Sequence, residues 1–176
     1  MAQNKIKSAD LFSTTGSTDT IVLATTPTIN QANLVGTTTN NNAAAGSVGE
    51  YVSAALASGS ATSLAVGTAK TIISISLTAG DWDVTGCLDL IGAATTQINY
   101  VLPSISLTTN TTGPFTNPTY TLGGQVIASY ALNTSFPCLT TRVSLASTTT
   151  IYLVALVGFG VSTLTAFGSL RARRMR

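Results

Sequence analysis

The chain has 176 residues, 44% of them hydrophobic and only 8% charged, and 18 Ser and 32 Thr supply most of its polarity. That length is enough for one compact body with a buried core. A hydroxyl-wetted surface with no histidine excludes Ser-His-Asp and Cys-His nucleophile systems and the commonest metal ligand, and it suits strands in durable assemblies better than a soluble cytosolic enzyme.

The formal net charge is +2, but four of the eight cations are Arg171, Arg173, Arg174 and Arg176 at the end of the sequence. The remainder is slightly acidic. So little charge provides little repulsion between copies, which favours a homo-oligomer.

In chain order, the opening Met1-Ala-Gln-Asn-Lys-Ile-Lys has no apolar stretch of secretory type, so export by that route is not expected. Residues 1–49 carry Thr37-Thr38-Thr39, Asn40-Asn41-Asn42 and Ala43-Ala44-Ala45 with few large side chains, and they read as an arm or attachment segment. Short apolar patches around Leu11-Phe12 and Ile21-Val22-Leu23 suit docking on a neighbour. A separate body is expected over residues 50–176.

Within that body, apolar segments recur between turn residues without a helical period. Strands are predicted over 49–57, 62–66, 71–77, 81–90, 97–102, 104–107, 125–132, 138–145, 150–157 and 161–169. The clearest is 81–90. Trp82, Val84, Leu88 and Leu90 fall on one face there, and Asp81, Asp83, Thr85, Cys87 and Asp89 fall on the other.

Around Pro103 the apolar phase moves from even positions (Ile98, Tyr100, Leu102) to odd ones (Ile105, Leu107), which predicts a bulge or bend in an edge strand. Breaks are expected at Gly113-Pro114, Asn117-Pro118, Gly123-Gly124 and Ser147-Thr148. About eight short strands at this spacing imply an all-β fold, an antiparallel β-sandwich of jelly-roll type with an extended N-terminal arm. The loop 108–118 is the longest in the body and the best partner-facing candidate, although it also reads as a plain connection.

Residues 151–167 with the arginines after them imitate a membrane anchor, yet the uninterrupted apolar run ends at Val157, and Gly158, Gly160, Ser162, Thr163 and Thr165 break the remainder of the segment. A spanning helix needs roughly 20 mostly apolar residues, so no membrane partner is expected.

Candidate chemistry is sparse. Gly123-Gly124 lacks the Lys-Ser/Thr of a phosphate loop. Asp81 and Asp83, about 7 Å apart on one strand face, are the only carboxylates close enough to act together. They read first as a solvated strand face, with a calcium or subunit contact and a catalytic pair as alternatives.

Cys87 and Cys138 read as two small buried side chains or a single bridge, without metal-ligand spacing. Trp82, Tyr100, Tyr130 and Tyr152 read as core residues before sugar-stacking platforms. The terminal arginines read as a solvated end, or as a contact for nucleic acid or an acidic partner. With only Lys70 and Arg142 as cations over 50–170, nucleic acid is not expected as a partner. Catalytic residues, cofactors and metals are therefore all expected to be none.

Taken as a whole, Thr71-Ile-Ile-Ser-Ile-Ser-Leu-Thr-Ala-Gly-Asp-Trp-Asp-Val-Thr-Gly resembles a segment of bacteriophage and prophage structural proteins, in which a strand ending Leu-Thr-Ala-Gly precedes an aromatic-Asp-Val-Thr/Ser-Gly strand. Asn42-Ala-Ala-Ala-Gly-Ser-Val-Gly-Glu-Tyr, Val161-Ser-Thr-Leu-Thr-Ala-Phe-Gly and the closing Arg171-Ala-Arg-Arg agree with it. The strand pattern is also similar to trimeric jelly rolls of the C1q and tumour-necrosis-factor type. The resemblance implies a non-enzymatic virion protein that works as a fibre, spike or capsid decoration, and it implies a homotrimer. Residues 1–49 would attach it to other virion proteins of the capsid or tail. The alternative is a receptor-binding fibre tip that uses loop 108–118 on a host surface glycan.

Overall fold

A computed structural model describes residues 38–115, 118–126 and 134–176. The chain divides into two compact units, Met1–Thr39 and Asn40–Arg176, and the second holds all the strands considered below. Most of the expected arm lies outside the described residues, as does 127–132 of the strand predicted over 125–132.

Among the described residues ten strands follow one another: β1 (Tyr51–Leu56), β2 (Thr62–Ser63), β3 (Lys70–Leu77), β4 (Gly80–Gly92), β5 (Gln97–Ser106), β6 (Tyr120–Val126), β7 (Thr134–Pro137), β8 (Thr141–Leu145), β9 (Thr149–Gly160) and β10 (Leu164–Arg174). One sheet runs β1-β10-β4-β7, with β2 also on β10 and β8 also on β4; the other runs β3-β9-β5-β6. All pairings are antiparallel.

β1 with β2 forms one interrupted strand along β10, and β7 with β8 forms another along β4. Counting each as a single station, the first sheet takes the first, eighth, third and sixth stations and the second sheet takes the second, seventh, fourth and fifth. That is the double Greek key of a jelly roll, as the sequence predicts.

Alternation builds the core. In β4, Trp82, Val84, Leu88 and Leu90 are buried, and they meet Ile98, Val101 and Ile105 of β5 and Ile151, Leu153 and Val157 of β9. Burying each such side chain contributes about 1.5–3 kcal/mol. In β10, Leu164, Ala166, Gly168, Leu170 and Ala172 take the inward positions, and the same parity carries on to Arg174.

Three predicted segments are corrected. Residues 97–106 form one strand, and the change of phase lies between Ile98 and Tyr100 and not at Pro103. Nor is β5 an edge strand. It lies between β9 and β6, but β6 pairs only as far as Val101, so Pro103 sits beyond the end of that ladder.

β6 was hidden in the sequence by Gly123-Gly124, which read as a break; Gly123 supplies a positive φ of 60° within the strand. The third correction is at the chain's end, where β10 runs on through the arginines to Arg174.

Candidate assembly surfaces

The C-terminal arginines are part of the fold. Arg174 stands directly opposite Trp82 in the ladder, with its guanidinium 4.3 Å from the centre of the indole ring. Its Nε donates to Glu50 Oε2 at 2.9 Å, Nη1 donates to the Ala79 carbonyl at 2.8 Å, and Nη2 donates to Thr78 Oγ1. Trp82 Nε1 donates to the Thr78 carbonyl at 3.0 Å, and Gly46 N–H donates to Glu50 at 2.8 Å. The main chain repeats the link, because Gly49 N–H donates to the Arg174 carbonyl and Arg174 N–H to that of Glu50. A charge this far from water is tolerable only when every donor is engaged, and here the arginine ties the segment before β1 to the end of β10 and to the β3–β4 turn. The reading of these arginines as a solvated end is therefore overturned for Arg174, which is 4% exposed.

Asp81 also departs from a solvated face, being 7% exposed and accepting from Arg142 Nε and Arg176 Nε, each at 2.8 Å. The hydrogen bond from Arg142 and the two nearby guanidinium charges hold its carboxyl below the usual range. Held in its charged form by two guanidiniums, Asp81 is poorly suited to act as a general acid. Asp83 points to the outer face of the same sheet, in register with Arg173 on one side and Arg142 on the other.

The Glu50 carboxyl is held low as well, first by the Gly46 N–H and then by Arg174. Because both folded-state values are depressed, the stabilisation is complete above the ordinary carboxyl values of 4.5 and 3.8 and is lost as pH falls through the lower folded ones. Thermal melts between pH 7 and pH 2.5 should therefore be flat at the upper end and fall steeply in the acid range, and Glu50→Gln should flatten the fall. A melting temperature independent of pH across that range would contradict the pairing.

The two sheets differ in charge. Among the described residues, every charged side chain in a strand lies on the first sheet except Lys70, at the start of β3. The outer face of the second sheet carries hydroxyls and uncharged side chains. Leu102 and Leu156 stand opposite each other there with their inward neighbours Val101, Pro103, Ala155 and Val157 buried, so the leucine pair faces out and is half-buried. Beside it the Tyr100 ring lies over Gly158, where a Cβ would collide with the ring.

The loop expected to face a partner folds back on this sheet. Thr71 N–H donates to Asn110 Oδ1 and Asn110 N–H to Thr71 Oγ1, both at 2.8 Å, and Gly113 N–H donates to Ser104 Oγ at 2.8 Å. Thr109, Asn110 and Thr111 remain exposed at its tip.

Of the aromatic candidates, Trp82 is wholly buried, Tyr100 and Tyr152 are half-buried, and Tyr130 lies outside the described residues. Both cysteines are free thiols. Cys138 is buried in register with Gly86, an inward position, whereas Cys87 is on the outer face, so the two point to opposite sides and cannot be bridged without moving backbone. Burial, with Cys87 adding to it, pushes the Cys138 thiol up to about 12.

No protein-family model matches the chain, and no curated protein matches it. Among solved structures it is similar to the infectious bursal disease virus VP2 subviral particle, with 14% identity over 72% of this chain and a TM-score of 0.42. It is also similar to the structure of infectious bursal disease virus Gt strain, with 14% identity over 74% of this chain and a TM-score of 0.35. The chain spans about a third of the length of those proteins, 32% and 30% respectively.

Proposed function

We propose that the chain is a non-enzymatic structural protein of a bacteriophage virion that decorates or stabilises the particle as a homotrimer, attached to capsid or tail proteins through residues 1–49. The observation that carries this reading is the division of charge between the sheets. The Leu102–Leu156 pair sits on a sheet whose only strand charge among the described residues is Lys70, at the start of β3, so covering the pair with another copy removes apolar area from water at about 25 cal/mol per Å² and need strand no other charge. Around a threefold axis that face meets a different patch of the next copy, a heterologous contact that closes after three. The resemblance of 71–86 to phage structural proteins points to the particle, and the jelly-roll topology suits repeated packing.

Cryo-electron microscopy of purified particles tests the reading, with three copies expected at each attachment position; particles devoid of the chain would overturn it. Leu102→Asp with Leu156→Asp should convert the trimer to monomers while leaving the melting temperature of the single body within a few degrees. A second reading, adhesion to host glycan, is favoured by the loop tip Thr109-Asn110-Thr111, exposed yet held at fixed geometry by Thr71. Deleting 108–118 abolishes adsorption under that reading and leaves it unchanged under decoration.

A further inference from the structure

The outer face of the first sheet carries features that trimer assembly does not use. Tyr51 and Ser53 of β1 point outward, as do Arg171 and Arg173 of β10 and Asp83 and Thr85 of β4. Register places Tyr51 beside Arg173 beside Asp83 in one row, and Ser53 beside Arg171 beside Thr85 in the next. Between them is an open depression of about 230 Å³ lined by Tyr51, Asp83, Thr85, Thr140, Arg171 and Arg173. A second hollow adjoins it and shares Tyr51 and Arg171.

Arg142, Arg174 and Arg176 are spent on Asp81 and Glu50, whereas no ion pair among the described residues involves Arg171 or Arg173. Both are exposed, and two residues apart on one strand they stand about 7 Å from each other. Tyr51 is 43% exposed, and its main chain is fixed at both polar groups by the Asn42 side chain, which accepts from Tyr51 N–H at 2.9 Å and donates to its carbonyl at 2.8 Å.

We infer that this depression binds an acidic saccharide, a sugar unit bearing a carboxylate. The guanidinium fork takes the carboxylate through two parallel N–H donors, the tyrosine ring supplies an apolar wall for the C–H face of the pyranose, and Thr85, Thr140 and Asp83 bond its hydroxyls. Asp83 decides the ligand class. A lone carboxylate amid the arginines suits a ligand that offers one anionic group and several hydroxyl donors, and it repels a phosphate backbone or a run of acidic side chains. The adjoining hollow provides room for a second sugar unit along the chain. The site is complete within one copy, so it stands or falls independently of the trimer.

The test is calorimetry of the full chain with short oligosaccharides of galacturonate, glucuronate and sialic acid, alongside neutral maltotriose and a single-stranded oligonucleotide. Binding of at least one acidic sugar is expected, with no heat from maltotriose. Replacing Arg171→Gln and Arg173→Gln should weaken it about tenfold or more, Arg→Lys at both positions should recover only part, and Tyr51→Ala should weaken it with the charge intact. These side chains are exposed, so the melting temperature of each variant serves as the control for folding. Failure of every acidic sugar to bind would overturn the inference, as would undiminished binding by the double glutamine variant or tighter binding of the oligonucleotide.

Discussion

Replacing Arg174 by methionine is expected to destabilise the body by about 3–5 kcal/mol, because it leaves the Glu50 carboxylate enclosed without its counter-charge. For a domain of this size that corresponds to a fall in melting temperature on the order of 10–20 °C. The loss extends past one ion pair. The Ala79 carbonyl and Thr78 hydroxyl lose their donors, and the Trp82 ring loses the cation on its face.

Arg174→Lys should recover only part of the loss, since one ammonium cannot reach Glu50, Ala79 and Thr78 together while stacking on the indole. The double variant Glu50→Gln, Arg174→Met should be less destabilised than the sum of the single losses, because removing both partners leaves no enclosed charge. Arg171→Gln, three positions away and facing water, should change stability by less than about 0.5 kcal/mol. If Arg174 and Arg171 proved equally dispensable in thermal melts, the terminal arginines would be a solvated end after all.

Gly168→Ala is also expected to be strongly destabilising. Gly168 has a φ of 151°, and a Cβ there would run into the Cys87 carbonyl on the neighbouring strand β4. The backbone conformation alone costs an L-residue on the order of 1–3 kcal/mol, and the collision is with main chain, which cannot swing aside. The damage therefore falls on the β10–β4 ladder, which joins the two central strands of the first sheet. Gly59→Ala is the control: a Cβ there meets nothing within 4 Å, so it should be neutral or slightly stabilising in the same melts. Equal melting temperatures for the two variants would contradict the packing described at Gly168.

How much of the fold was legible in the sequence depends on whether period two was interrupted. β4 was readable residue by residue, because its inward and outward side chains differ sharply in polarity. In β5 the change of phase was visible, but the proline drew attention to the wrong position; a bulge between Ile98 and Tyr100 shifts the register without any diagnostic residue. β6 was lost behind a glycine pair that signals a turn in isolation and is overridden by pairing with β5.

The terminal arginines were illegible for a different reason. Alternation counted from Leu164 marks Arg174 as inward and Arg171 and Arg173 as outward, so a signal was present, but charge outweighs parity when the segment is read alone. Only Trp82 opposite and Glu50 more than a hundred residues earlier make an inward arginine tolerable, and neither relation is local.

The outer surfaces were legible only as composition. That charge was scarce could be counted, whereas its confinement to one sheet among the described strands, Lys70 apart, depends on topology, since β3, β5, β6 and β9 come from four separate stretches of the chain. That confinement turns a low-charge composition into a specific expectation about assembly. Sedimentation equilibrium on the full chain tests it most directly: the account predicts the mass of three chains, each of 17.9 kDa, and of one chain for the Leu102→Asp, Leu156→Asp variant. A single-chain mass for the unmodified protein at the highest concentration that stays in solution, or a trimer indifferent to both aspartates, would contradict it.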